Sequence, residues 1–145
     1  MRTMIRIATL AAVLVFATAC GSADSGSGST APPPATANTG GKTTRLAFGS
    51  YCWSAPGVTG CGDTGDPSRI PGLPVIHATR GATIVIRLGF DPTERVDVSI
   101  GHRHVQLDPA RVLRIRADRP GLLDIGADHG PDDASYLARI RLDRP

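Results

Sequence analysis

From Thr43 to Pro145 apolar and polar residues alternate with a period of two, which commits this stretch to strands buried on one face. "RVDVSI" shows it best: Val96, Val98 and Ile100 fall on one side, Arg95, Asp97 and Ser99 on the other. The same alternation turns Leu46 and Phe48 inward in "TRLAF", Ile84, Ile86 and Leu88 in "TIVIRL", and Leu113 and Ile115 in "VLRIRA". Leu123 and Ile125 pair with a last strand, "SYLARIRL", that buries Tyr136, Ala138, Ile140 and Leu142. With "LPVIHA" and "HVQL" this makes about eight strands. Arg80-Gly81, Asp91-Pro92, Asp108-Pro109 and Pro120-Gly121 supply turns between them. Residues 43–145 are thus expected to form one all-β domain, an antiparallel β-sandwich, its core built from branched aliphatics because it holds only five aromatics.

Short strands at frequent turns fit an immunoglobulin-like sandwich. A second architecture is also in play: "PGLLDIGADHGPDDASYLARIRL" resembles the C-terminal hairpin of cupredoxins. Where that family places its copper cysteine this chain has Ala127, with Gly130 at the histidine position and Ser135 near the methionine position. The resemblance therefore implies a cupredoxin-like fold without copper ligands, because blue-copper chemistry needs the thiolate.

Upstream of the domain, Arg2 and Arg6 precede an apolar run, Ile7 to Ala19, followed by Cys20. Thirteen residues fall short of the roughly 20 a spanning helix needs, so the run reads as an export signal. Ala17-Thr18-Ala19-Cys20 resembles the bacterial lipoprotein lipobox, with Ala17 where leucine is usual. That resemblance implies a signal peptide over 1–19, cut before Cys20, and a sulfur carrying diacylglyceryl and, with it, palmitate-type chains. Two or more chains, at ~0.8 kcal/mol per buried methylene, hold a protein on a membrane where one chain is marginal. The expected address is the cell membrane, facing away from the cytoplasm. Residues 20–42 carry the lipidated cysteine and then no aliphatic side chain larger than alanine, so they are expected to form a flexible Gly/Ser/Pro tether. Its reach is on the order of 25–30 Å.

With Cys20 lipidated, Cys52 and Cys61 in "SYCWSAPGVTGCGD" are left as a pair, and an oxidising compartment makes a disulfide the default. Trp53 is expected to pack over it. "GSYCWSAPGVTGCGD" also resembles small secreted bacterial domains to which no activity attaches. The formal charge of +3 falls once the signal peptide is removed: residues 43–145 hold 13 Arg against 12 Asp and Glu. A balance of +1 leaves no electrostatic footprint for nucleic acid.

Gly60-Cys61-Gly62-Asp63-Thr64-Gly65 spells G-x-G-x-x-G, but Asp66-Pro67 follows where a dinucleotide site needs a helix. His102 and His104, two apart on a strand, share a side and could meet a metal with His129 as a third ligand if the loops converge. Asp128, Asp132 and Asp133 crowd one loop and Asp63 and Asp66 another, without EF-hand spacing. No G-x-S-x-G elbow occurs in the domain. These readings lead to a non-enzymatic binding or interaction module without a cofactor, anchored on the membrane and meeting another envelope protein or a cell-wall component. Its candidate contact residues are Tyr51 and Trp53 in the 51–66 loop and Arg114 and Arg116 on a strand face. The alternative is a copper- or zinc-handling protein using the three histidines.

Overall fold

The computed structural model describes residues 30–144. They form eleven strands: β1 (Thr36–Thr39), β2 (Lys42–Arg45), β3 (Ala47–Ala55), β4 (Val58–Gly62), β5 (Val75–Thr79), β6 (Thr83–Arg87), β7 (Val96–Ile100), β8 (Arg103–Leu107), β9 (Val112–Arg116), β10 (Gly121–His129) and β11 (Asp132–Asp143). One 3-10 turn, Pro67–Arg69, interrupts them. The first sheet runs β2-β1-β6-β9 and the second β4-β3-β11-β10-β7-β8, and the two pack face to face as the expected sandwich. Inward residues lie where the alternation puts them: Ile84, Ile86, Leu113 and Ile115 from the first sheet, Val96, Val98, Leu123, Ile125, Tyr136 and Ile140 from the second, all buried.

All pairings are antiparallel except one. β11 is twelve residues long; β3 pairs with its first half, and β5 runs parallel to its second half, Arg139 to Asp143. β11 thereby has neighbours along its whole length, and the fully buried Tyr136 stands near its middle.

The N-terminal boundary differs from the composition reading. Residues 36–42, expected in the tether, belong to the sandwich: β1 sits between β2 and β6, and Ala35 and Ala37 are as buried as any leucine in the core. Small side chains do not preclude burial where a strand is clasped on both edges. Gly40 and Gly41, both at positive φ (55° and 81°), make the two-residue hairpin turn joining β1 to β2. Just upstream, Tyr136 donates its hydroxyl hydrogen to the Pro33 carbonyl at 2.6 Å, and Leu46 N–H bonds the Ala35 carbonyl at 2.9 Å. Cys20 and residues 1–19 lie outside the described residues.

"TRLAF" is likewise two strands, broken at the buried Leu46. In β3 the register with β11 slips between Ala134 and Tyr136, so two residues of β11 face three steps of β3. This bulge brings both Phe48 and Tyr51 against the core, their ring centroids 6.0 Å apart.

Candidate functional site

The Cys52–Cys61 disulfide is present. It joins residues directly opposite each other in β3 and β4, so the 51–66 segment expected as a loop is largely a hairpin turning at Pro56-Gly57. This hairpin explains the glycine motif. Gly62 lies opposite Tyr51, and a Cβ there would stand 2.7 Å from the Tyr51 ring; at Gly60 it would run into Thr30. The glycines admit neighbouring chain, not a pyrophosphate.

Trp53 does not cover the disulfide. Adjacent residues of a strand point to opposite faces, and Trp53 turns into the core, only 9% exposed. Its ring meets Phe90 at 4.9 Å and stacks on His129 at 5.9 Å with an interplanar angle of 16°. Tyr51 packs against the same core. Trp53 is therefore closed off from the surface and Tyr51 is left half-buried: the sequence puts them beside a cysteine, but the bulge and the strand pleat decide where they point.

The histidines do not converge. His102 is in the β7–β8 turn and His104 on the exposed face of β8. The turn is level with the start of β10, where Gly101 N–H bonds the Leu122 carbonyl, while His129 closes the far end of β10. Six residues separate Leu123, the partner of Ile100, from His129, about 20 Å of strand. The His104 ring is already engaged, with Nδ1 3.3 Å from Ser99 Oγ and Nε2 3.2 Å from Asp97 Oδ1, the latter at ion-pair distance without hydrogen-bond alignment. Nδ1 of His129 bonds the Asp91 carbonyl at 2.8 Å. Among the described residues no group of three or more His, Cys, Asp or Glu is arranged to hold a metal ion.

Of the clustered carboxylates, Asp63 and Asp66 serve turns. Asp63 accepts hydrogen bonds from the Gly65 amide (2.9 Å) and Ser50 hydroxyl (2.8 Å), and Asp66 from the Ser68 hydroxyl (2.7 Å) and amide (2.9 Å); these bonds hold both carboxyls below the usual carboxylate range. Asp132 accepts from the Ser54 amide at 3.1 Å. At the position corresponding to a copper cysteine, Ala127 is buried in the core.

Arg114 and Arg116 belong to a larger surface than the sequence shows. On the solvent face of the first sheet, register places Arg45, Thr36, Arg87 and Val112 in one row across the four strands. Thr43, Asn38, Val85 and Arg114 make the next row, and Thr83 with Arg116 a third. Four arginines stand in these rows, and of the four only Arg116 has a carboxylate near it among the described residues, Asp118 at 3.8 Å. A shallow depression on it is lined by Thr36, Asn38, Thr43, Val85, Arg87 and Arg114. Arg45 and Arg87 could not be grouped with Arg114 from sequence, because the grouping needs strand order.

What fold and site define is a disulfide-bonded all-β sandwich with rows of arginines on the solvent face of its first sheet. No family model, no curated protein and no solved structure matches the chain.

Proposed function

We propose that this chain is a lipid-anchored cell-envelope protein whose sandwich is a non-enzymatic binding module, working through the arginine face of the first sheet on the anionic surface of the membrane that holds it. The arginine rows carry the reading: Arg45, Arg87 and Arg114 have no carboxylate partner among the described residues, and Arg116 has only the loose pair with Asp118. The Ala17-Thr18-Ala19-Cys20 lipobox supports the anchor, and the oxidised Cys52–Cys61 pair supports a location outside the cytoplasm.

A basic residue near an anionic lipid surface is worth about 1 kcal/mol, so four give about 4 kcal/mol, a dissociation constant in the millimolar range. Alone that is fleeting. Tied through Cys20 by a short linker, the face works at an effective concentration that is itself millimolar, and docked and free orientations become comparably populated. β1, the strand by which the linker enters the sandwich, belongs to this same sheet.

The test uses the chain from residue 20 onward carrying Cys20→Ser, which lacks the apolar run and cannot be acylated, sedimented with millimolar phosphatidylglycerol or phosphatidylcholine vesicles. Binding is expected on the former only, and to disappear in 0.5 M salt, roughly where exposed charges are screened within a few ångströms, or with Arg45→Glu and Arg87→Glu together. Equal binding to both lipids, or indifference to the two substitutions, refutes the assignment.

A further inference from the structure

The two flanks of the sandwich differ. On one, β5 pairs with β11 and also lies against β1, bridging the two sheets. On the other, β8 ends the second sheet and β9 ends the first, and the gap between them is open as a cleft of about 220 Å³. Its floor is apolar: Val98, Ile100 and Ile115 are buried, and Val105 and Leu107 form half-buried walls. Its mouth is charged, with Arg103, Arg114 and Arg116 around Asp118.

Asp118 does not neutralise that mouth. Arg103 Nη1 stands 3.6 Å from Asp118 Oδ2 and Arg116 Nε 3.8 Å from Oδ1, both loose and solvent-exposed pairs of the kind that hold weakly. Arg114 has no carboxylate partner among the described residues. Three guanidinium groups therefore face one carboxylate above an apolar slot, a combination that complements a molecule with a compact anionic head and an apolar tail. Guanidinium forks match carboxylate and phosphate oxygens.

We propose that the β8–β9 cleft binds a single-chain anionic amphiphile, its tail on Val98, Ile100 and Ile115 and its head held by Arg103 and Arg114. Size sets the tail. A dry apolar cavity of ~150 Å³ takes benzene, so about 220 Å³ scales to roughly nine carbons, room for an eight-carbon chain. A diacyl lipid or a fused ring system needs one of the larger pockets, ~300 Å³ and up, that bury drug-sized ligands. The site shares Arg114 with the outer arginine rows and is separate from them at Arg103 and along its whole floor, which is where its test is read.

Octanoate is the probe, titrated into the same chain from residue 20 onward carrying Cys20→Ser and followed through backbone amide shifts, with octyltrimethylammonium and octanol as comparisons. Saturable shifts are expected at Val98, Ile100, Val105 and Ile115, with octyltrimethylammonium at least tenfold weaker. Arg103→Glu is expected to weaken octanoate about tenfold or more while leaving octanol and vesicle binding unchanged. Val105→Trp, which fills the slot, should abolish octanoate shifts; should that variant fail to fold, Arg103→Glu and the three-ligand comparison decide alone. Equal affinity for all three ligands, no saturation with octanoate by about 20 mM, a range that covers even feeble binding, or shifts confined to Thr36, Asn38 and Val85 overturn the proposal.

Discussion

Replacing Tyr136 with phenylalanine removes one oxygen and tests whether the segment upstream of β1 is truly part of the fold. The Tyr136 ring is fully buried, and its hydroxyl donates to the Pro33 carbonyl at 2.6 Å. Phenylalanine keeps the ring and its tilted contact with Phe48 at 5.8 Å, so no large cavity opens. A net hydrogen bond is worth ~0.5–1.5 kcal/mol, and an acceptor left without a partner costs ~1–3 kcal/mol when fully buried. Pro33 is only half-buried and water reaches part of that loss, so the sum is about 1–2 kcal/mol. For a domain somewhat above 100 residues, roughly 4 °C per kcal/mol puts the fall in Tm at about 4–8 °C. Trp53 fluorescence reports the transition, and Leu46 amide exchange, dependent on the Ala35 carbonyl, should quicken with it. Burial also pushes the Tyr136 phenol well above its ordinary value of 10.0. Above pH 10 the unfolded state releases that proton while the folded state keeps it, so stability falls as pH rises. The Phe variant loses that slope. Tyr51→Phe, whose hydroxyl has no partner among the described residues, is the control. A Tm within 1 °C of the parent, about the error of such a comparison, together with unchanged Leu46 exchange, refutes the reasoning.

Replacing Cys52 and Cys61 with serine should cost about 2.5 kcal/mol on the chain-entropy account of a ten-residue loop, read as an earlier urea midpoint with vesicle binding retained below it. Burial raises the Asp124 carboxyl above its ordinary value of 3.8, so its charge opposes folding at neutral pH and stability recovers as pH falls through the raised value. Asp124→Asn should raise Tm at pH 7 and flatten that part of the profile. A Cβ at Gly89 would stand 2.5 Å from Pro33 Cβ and 2.8 Å from the Pro34 carbonyl. Gly89→Ala is therefore expected to destabilise by ~1–3 kcal/mol and to speed Leu46 exchange, whereas Gly57→Asn meets no neighbour and carries only the strain of its positive φ, which asparagine tolerates better than other side chains, so it should cost less and leave Leu46 exchange unchanged.

Strands with a strict period of two were legible: β6, β7, β9 and most of β11 lie where Ile84, Val98, Leu113 and Ile140 place them. β1 was not, because Ala35 and Ala37 carry too little hydrophobic signal and their burial depends on β2 and β6 clasping them. Gly40-Gly41 was the available clue, a hairpin dipeptide hidden in a run of small residues. β4 was masked by Gly60 and Gly62, whose missing side chains answer Thr30 and Tyr51. At the site, Arg114 and Arg116 were visible as a strand face, but Arg45 and Arg87 join them only through the β1–β6 and β6–β9 pairings, which link residues about 25 to 50 positions apart. The same long-range pairing keeps His129 from His102 and His104. Local spacing fixes which side of a strand a residue takes, and long-range register fixes its neighbours.

β11 has a consequence for how the molecule comes into being. A chain emerging N-terminus first presents β3, β5 and β10 before the strand on which all three depend has appeared. Until residues 132–143 arrive, those strands wait with open edges, able to join the wrong neighbour. Maturation therefore turns on a single late insertion, and whatever shelters the nascent chain must do so until that strand slides home.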